Sequence, residues 1–257
     1  MKVAVFQCDL GGADAATRLQ KLHHVMQHAD ADLVLCPELF MSGYHVGPLI
    51  TERAEARDGP FARQVADIAT TTGTAIAYGY PEAAEGRIFN SVLCIGPDGG
   101  QLANHRKLVI PPGPETGLFA AGDRLTLFDL AGVRMALLIC YDIEFPEAAR
   151  AVAEAGAQVI LAPTALASQW SVVAERVIPA RAFENGVHIA YANHAGIEHG
   201  LEYAGSSVIL DPIGADQARA GTSDTVISAV LDPDRVRQAQ DRLPYLKDVA
   251  ALRHRLR

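Results

Sequence analysis

Cys140 comes directly after the apolar run Met135-Ala136-Leu137-Leu138-Ile139, and Glu38 directly after Leu33-Val34-Leu35-Cys36-Pro37. Lys107 ends the run that starts at Gln101, and Glu115 sits in the stiff turn Pro111-Pro112-Gly113-Pro114-Glu115-Thr116-Gly117. Side chains at strand ends can converge on one pocket from distant parts of a sheet. The chemistry open to such a set is nucleophilic. A thiol attacks a carbonyl once a base has taken its proton, and a nearby cation steadies the negative charge that the attack creates. Each residue also has an ordinary reading. A strand-end cysteine is commonly a small buried hydrophobe. Glu38 fits a capping or ion-paired carboxylate, Lys107 a surface lysine, and Glu115 a solvated turn residue. The signal is their joint occurrence with these flanks.

The elements that must position them are short Val/Ile/Leu-rich runs alternating with Ala-rich helical patterns. Strands are predicted over 3–7, 33–36, 74–80, 89–96, 101–107, 125–130, 133–139, 159–162, 187–193, 206–210 and 225–231. Helices are predicted over 15–29, 59–72, 146–155 and 171–184, with a polar helix ending the chain. Pro97-Asp98-Gly99-Gly100 and Ala131-Gly132 read as hairpin turns. Strand and helix alternation with interposed hairpins favours an α/β sandwich of mixed sheets. No repeat, low-complexity segment or dividing linker is visible, so one domain over 1–257 is expected.

Composition narrows the partners. The chain is 49% hydrophobic with 20% charged residues, enough apolar material for a large core. A net charge of -8 argues against nucleic acid, and the basic end (Arg253, His254, Arg255, Arg257) reads as an exposed solvated tail. No apolar stretch is long enough for a membrane span, and Met1 to Leu10 goes straight into a strand pattern, so a cytoplasmic protein is expected. Cys8, Cys36, Cys94 and Cys140 form no CxxC pair, and no disulfide framework is expected. His23-His24 and His194…His199 lack partners at metal-ligand spacing, so no metal is expected.

Three segments then carry a resemblance. Pro37-Glu38-Leu39-Phe40, His105-Arg106-Lys107 and Ile139-Cys140-Tyr141-Asp142-Ile143-Glu144-Phe145-Pro146-Glu147 resemble the signature motifs of the carbon–nitrogen hydrolase (nitrilase-like) family, in its order. Phe89-Asn90-Ser91, Pro179-Ala180-Arg181-Ala182-Phe183-Glu184-Asn185, Tyr191-Ala192-Asn193, Tyr203-Ala204-Gly205-Ser206-Ser207 and Leu243-Pro244-Tyr245-Leu246 match as well, so the resemblance runs from Val3 to about Lys247. It implies a four-layer α-β-β-α sandwich, assembled into a homodimer or larger homo-oligomer. It also implies a Glu38–Lys107–Cys140 triad, with Glu115 as the family's second glutamate, acting on a small-molecule amide without cofactor or metal.

In that reading Glu38 takes the Cys140 proton and later returns it to departing ammonia. Lys107 and the backbone N–H of Tyr141 face the oxyanion, and Glu115 orients Lys107 and the substrate amide. Tyr44 and Trp170 are candidates for the acyl pocket, with packing as the alternative for each. Arg181 and Glu184 read as a structural helix pair. Glu144 stands where many relatives resemble Cys-Tyr-Asp-x-Arg-Phe-Pro-Glu. Either it pairs with Arg176 or Arg181, or it makes the pocket mouth negative. Amidase is favoured over nitrilase or N-carbamoyl amide hydrolase, because family nitrilases are longer and the Tyr-Asp-x-Glu-Phe-Pro-Glu stretch looks like amidases. The readings from other classes are a retired relative serving in binding or assembly, and a redox role for Cys140.

Overall fold

Strands buried on both faces must be apolar at nearly every position, and the runs at 33–35, 159–163, 188–192 and 208–210 are of that kind. The computed structural model describes residues 1–256, so Arg257 of the basic end lies outside the described residues. In chain order β1 is Lys2–Gln7, α1 Ala15–His28, β2 Leu33–Leu35, α2 Leu49–Glu52, α3 Pro60–Thr72, β3 Ala75–Ala84, β4 Arg87–Ile95 and β5 Gln101–Arg106. There follow β6 Thr126–Leu130, β7 Val133–Leu137, α4 Tyr141–Glu144, α5 Pro146–Glu154, β8 Val159–Pro163, α6 Ile178–Asn185 and β9 His188–Ala192. The last part holds β10 Ile197–Glu198, β11 Leu201–Glu202, β12 Val208–Leu210, β13 Asp216–Arg219, β14 Thr225–Val230, α7 Pro233–Arg242 and α8 Tyr245–Arg255.

Two six-stranded sheets form, in the orders β14-β1-β2-β3-β4-β5 and β13-β12-β9-β8-β7-β6. In each, three central strands run parallel and the outer ones antiparallel. The two sheets therefore repeat one plan, although the sequence shows no repeat. Packing density constrains apolar volume rather than residue identity, so such a plan leaves no periodic sequence trace.

Pleating sorts the strand residues into three cores. Val3, Val5, Leu33 and Leu35 of the first sheet meet Met135, Leu137, Val159 and Leu161 of the second between the sheets. Ala4, Phe6, Val34 and Ile76 face outward onto Leu22 and Met26 of α1 and Val65 and Ile68 of α3. Ala136, Ile160, Ile189 and Tyr191 face Val152 of α5 and Ile178 and Ala182 of α6. The result is the expected four-layer α-β-β-α sandwich. No helix of the described residues is long and apolar enough to cross a membrane.

Four expectations change. β3 runs to Ala84 instead of residue 80 and turns through Glu85 and Gly86 into β4. It outruns its parallel partner β2, which pairs only as far as Ala77, and one side of the strand thereby accommodates Pro81. The helix expected over 171–184 begins with a π turn at Val173–Val177 that runs into α6, and a 3₁₀ turn at Ser168–Trp170 precedes it. Pro179 lacks the N–H that a continuous helix needs there, and the π turn absorbs the mismatch just before it. The single C-terminal polar helix is two helices, parted at Leu243-Pro244, and Arg253 in the second pairs with Glu154 at 2.9 Å. The short β10–β11 ribbon and β13 are additions, too short or too polar to carry a periodic signal.

Candidate active site

The ends of β2, β5 and β7 bring Glu38, Lys107 and Cys140 to one place between the sheets. Glu38 is held by its backbone. Its N–H donates to the Thr164 carbonyl (3.4 Å), and its carbonyl lies 2.7 Å from His194 Nε2. The next residue, Leu39, has φ 48, and the turn passes so close to β3 that a Cβ on Gly79 would overlap the Leu39 nitrogen. Gly79 N–H in turn donates to the Pro37 carbonyl at 3.2 Å. A glycine is required there by space.

Lys107 lies one residue beyond β5, where its N–H continues the ladder to the Asn90 carbonyl at 2.8 Å. Its ammonium, fully buried, donates to Glu38 Oε1 at 2.7 Å and to Glu115 Oε1 at 2.6 Å. Asn90 Nδ2 bridges the same two carboxylates, at 2.7 Å to Glu38 and 3.1 Å to Glu115. The Tyr44 hydroxyl donates to Glu115 at 2.9 Å. Glu38 Oε2 is left buried without a partner among the described residues. That oxygen is the one free to accept a proton.

Cys140 sits at φ 46, ψ -104, between β7 and α4, and packs against the inter-sheet core with its residue partly exposed. A non-glycine residue there is strained, which is characteristic of functional turns. Asp142 over-determines the turn. Its Oδ1 accepts from Leu108 N (3.0 Å) and Val109 N (2.9 Å), and its Oδ2 accepts from Ile139 N (3.0 Å). One buried carboxylate thus ties the Cys140 turn to the segment after Lys107. Tyr141 N–H opens α4 and has no acceptor among the described residues, as expected of a first helical turn.

The electrostatics separate the roles. Burial works against the Lys107 charge, but Glu38, Cys140 and Glu115 outweigh it and push its pKa well up. The two carboxylates thus favour the charged form of Lys107. Burial raises the Glu38 carboxyl, Lys107 opposes the rise, and Glu115 adds to it. The Cys140 thiol is pushed up by burial and by Glu38, while Lys107, the Thr164 side chain and the Ala165 N–H favour the thiolate. The thiol and the Glu38 carboxyl are thus both displaced toward protonation.

Above Cys140 opens a cavity of 610 Å³, lined among others by Tyr44, Pro112, Tyr141, Glu144, Leu166 and Trp170. The acyl-pocket candidates Tyr44 and Trp170 both line it, as do Tyr141 and Glu144. Trp170 stands at the rim with 57% exposure. The expected pairing of Glu144 with an arginine is corrected: Arg181 donates to the Glu144 backbone carbonyl at 2.6 Å and pairs with Glu184 at 3.1 Å. Behind the site lies a buried network. Arg18 pairs with Glu198 at 3.1 Å, and Glu198 accepts from Tyr44 N (2.9 Å), His45 N (2.6 Å) and the Tyr203 hydroxyl (2.6 Å). Sequence reasoning missed Asn90, Asp142, His194, Arg18 and Glu198 as positioning groups. The first two lay inside recognised motifs, whereas Glu198 sits in a ribbon with no periodic signal. Among the described residues, no group of three or more His, Cys, Asp or Glu side chains could hold a metal ion.

The carbon-nitrogen hydrolase family model matches residues 2–241. A hydrolase in the 5′ region of pqqF from Pseudomonas protegens is 44% identical over 252 residues, covering 96% of this chain and 88% of that one. An (R)-stereoselective amidase of Pseudomonas sp. is 33% identical over 251 residues, covering 96% and 91%. An amidase structure from Nesterenkonia sp. superposes with TM-score 0.86 at 30% identity, covering 95% of this chain and 94% of that chain. A variant of the Nesterenkonia sp. AN1 amidase shows Michael addition of acrylamide at its active-site cysteine; it is 29% identical with TM-score 0.81.

Proposed function

The chain belongs to the carbon–nitrogen hydrolase family, and from that we propose that it is an amidase releasing ammonia from a small carboxamide through a thioester on Cys140. The observation that carries the reading is the unpartnered Glu38 Oε2 beside a Lys107 held by two carboxylates. Glu38 takes the Cys140 proton as sulfur bonds to the amide carbon. The oxygen becomes an oxyanion facing the Lys107 ammonium and the Tyr141 N–H. Glu38 gives the proton to nitrogen, the C–N bond breaks, and ammonia leaves. Water then loses a proton to Glu38 as it attacks the thioester, and the sulfur departs with that proton. Glu115, anchored by Asn90 and Tyr44, orients Lys107 and the amide nitrogen. Tyr44, Tyr141, Glu144 and Trp170 form the acyl pocket.

The fold acts as one domain over residues 1–257, in the cytoplasm, where its four free cysteines stay reduced. It assembles as a homodimer or larger homo-oligomer, which the mass from light scattering reads directly. The catalytic test is intact-protein mass spectrometry with a slowly hydrolysed amide. One acyl group is expected on Cys140 in the native protein and none in Glu38→Gln, whose neutral side chain cannot take the thiol proton. Equal acylation of the variant means that another base does the work, and a nitrile turned over faster than its amide moves the protein to the nitrilase reading.

A further inference from the structure

The cavity above Cys140 holds a carboxylate that the hydrolysis itself does not use. Glu144 closes α4, one helical turn beyond the nucleophile, and lines the same 610 Å³ space. Its carboxylate meets no cation and no hydrogen-bond donor of a side chain among the described residues. Arg181 is committed elsewhere, through Nε to the Ile143 carbonyl (3.1 Å), Nη2 to the Glu144 carbonyl (2.6 Å) and Nη1 to Glu184 (3.1 Å). No lysine or arginine lines the cavity. The buried Lys107 ammonium does not reach its wall and is already shared between Glu38 and Glu115, so one cation stands against three carboxylates. Of the other ionisable groups on the wall, Tyr44 gives its hydroxyl to Glu115, and His45 presents an imidazole whose Nδ1 has no partner. The rim carries Trp170, whose ring face attracts cations.

We propose that Glu144 is the counter-ion for a positively charged acyl group, so that the preferred substrates are carboxamides bearing an ammonium group and amides bearing a free carboxylate are disfavoured. This rests on the amidase reading of the site. A half-buried carboxylate has lost part of its water, and its pKa is raised by that burial against the pull of Lys107 and Arg181. A bound ammonium replaces the missing hydration, whereas a second carboxylate meets like-charge repulsion that grows as solvent is excluded.

Three amides of similar size test this at neutral pH: an amino-acid amide, its deaminated neutral counterpart, and an ω-amide with a free carboxylate. The wild type should favour the ammonium substrate over the carboxylate one in kcat/KM by about tenfold or more. In Glu144→Gln that ratio should fall by about the same factor, and a ratio within one variant cancels any general loss of activity. Raising ionic strength should shrink the wild-type ratio, a readout that needs no variant. Affinities of the same amides for Cys140→Ala, measured by calorimetry, separate binding from turnover. Charge-blind binding and turnover in the wild type overturn the proposal, as does a ratio unchanged in a folded Gln variant. Charge-dependent binding with no ammonia from any amide overturns the amidase reading and leaves the counter-ion role standing.

Discussion

Lys107 shows how one residue type is made to do one job. A buried lysine alone tends to lose its proton, because desolvation disfavours the charge. Here two carboxylates at 2.7 and 2.6 Å oppose that tendency and favour the ammonium, which the proposed mechanism sets against a developing oxyanion. The same arrangement makes the residue costly to remove. Lys107→Met leaves Glu38 and Glu115 buried without their cation, and breaking such a pair costs about 3–5 kcal/mol. Denaturant melts should show that loss alongside abolished turnover. Cys140→Ala, by contrast, removes one sulfur that takes part in no ion pair and leaves the backbone turn as it is, and should lose activity while keeping its stability within about 1 kcal/mol. Equal stability of the two variants would mean that the Lys107 cluster contributes nothing to the fold.

Strand ends and the turns behind them set the site's precision. β2 supplies Glu38 only because its following turn lies flush against β3, and Gly79 leaves the space for it. Gly79→Ala should push that turn away and with it Glu38, the proposed base. A displacement of about 1 Å in reacting groups costs on the order of a hundredfold in rate. The variant should therefore lose kcat by about that factor while its circular dichroism stays native, and a kcat within twofold of wild type would show that the turn adapts. The Asp142 carboxylate works in the same way on the other side, clamping the turn of Cys140 to the segment after Lys107 with three backbone hydrogen bonds. The π turn before α6 likewise carries Val173 to the cavity wall, next to Trp170 of the preceding 3₁₀ turn.

Across the whole molecule the two sheets are joined at the site by polar links as well as by the core. His194, just past β9, reaches the Glu38 carbonyl at 2.7 Å and lies 3.6 Å from the Cys8 sulfur at the end of β1. Burial lowers its pKa from 6.5 to about 4, against the opposing pull of Glu198 and the Glu38 carbonyl. Between those values the unfolded chain binds a proton that the folded protein excludes, so stability falls as pH drops from about 6.5 and levels off near 4. The shift corresponds to roughly 3 kcal/mol. Denaturation midpoints measured from pH 7 to 4 should show that decline, and His194→Gln, which keeps an N–H donor without the titration, should flatten it. Parallel curves for the two proteins would assign the acid sensitivity to other groups.

How much was legible beforehand differs with the range of the interaction. The apolar runs, their turns and the residues beside them are local features; they sufficed for the α/β layering and marked Glu38, Lys107, Glu115 and Cys140 as candidates, while the family resemblance supplied their expected roles. The helix expected over 171–184 forms, but with a π turn before Pro179, because periodicity does not register how a proline is accommodated. Three things had no local trace. That Asn90 bridges both glutamates depends on β4 lying beside β5. That Glu198 pins Tyr44 and His45 depends on a chain separation of more than 150 residues being closed. That Glu144 faces the cavity instead of an arginine depends on Arg181 turning to backbone carbonyls. A side chain's type states what it can donate, accept or repel. Which partner it meets is set by the packing of distant strands, and only the tertiary structure contains that.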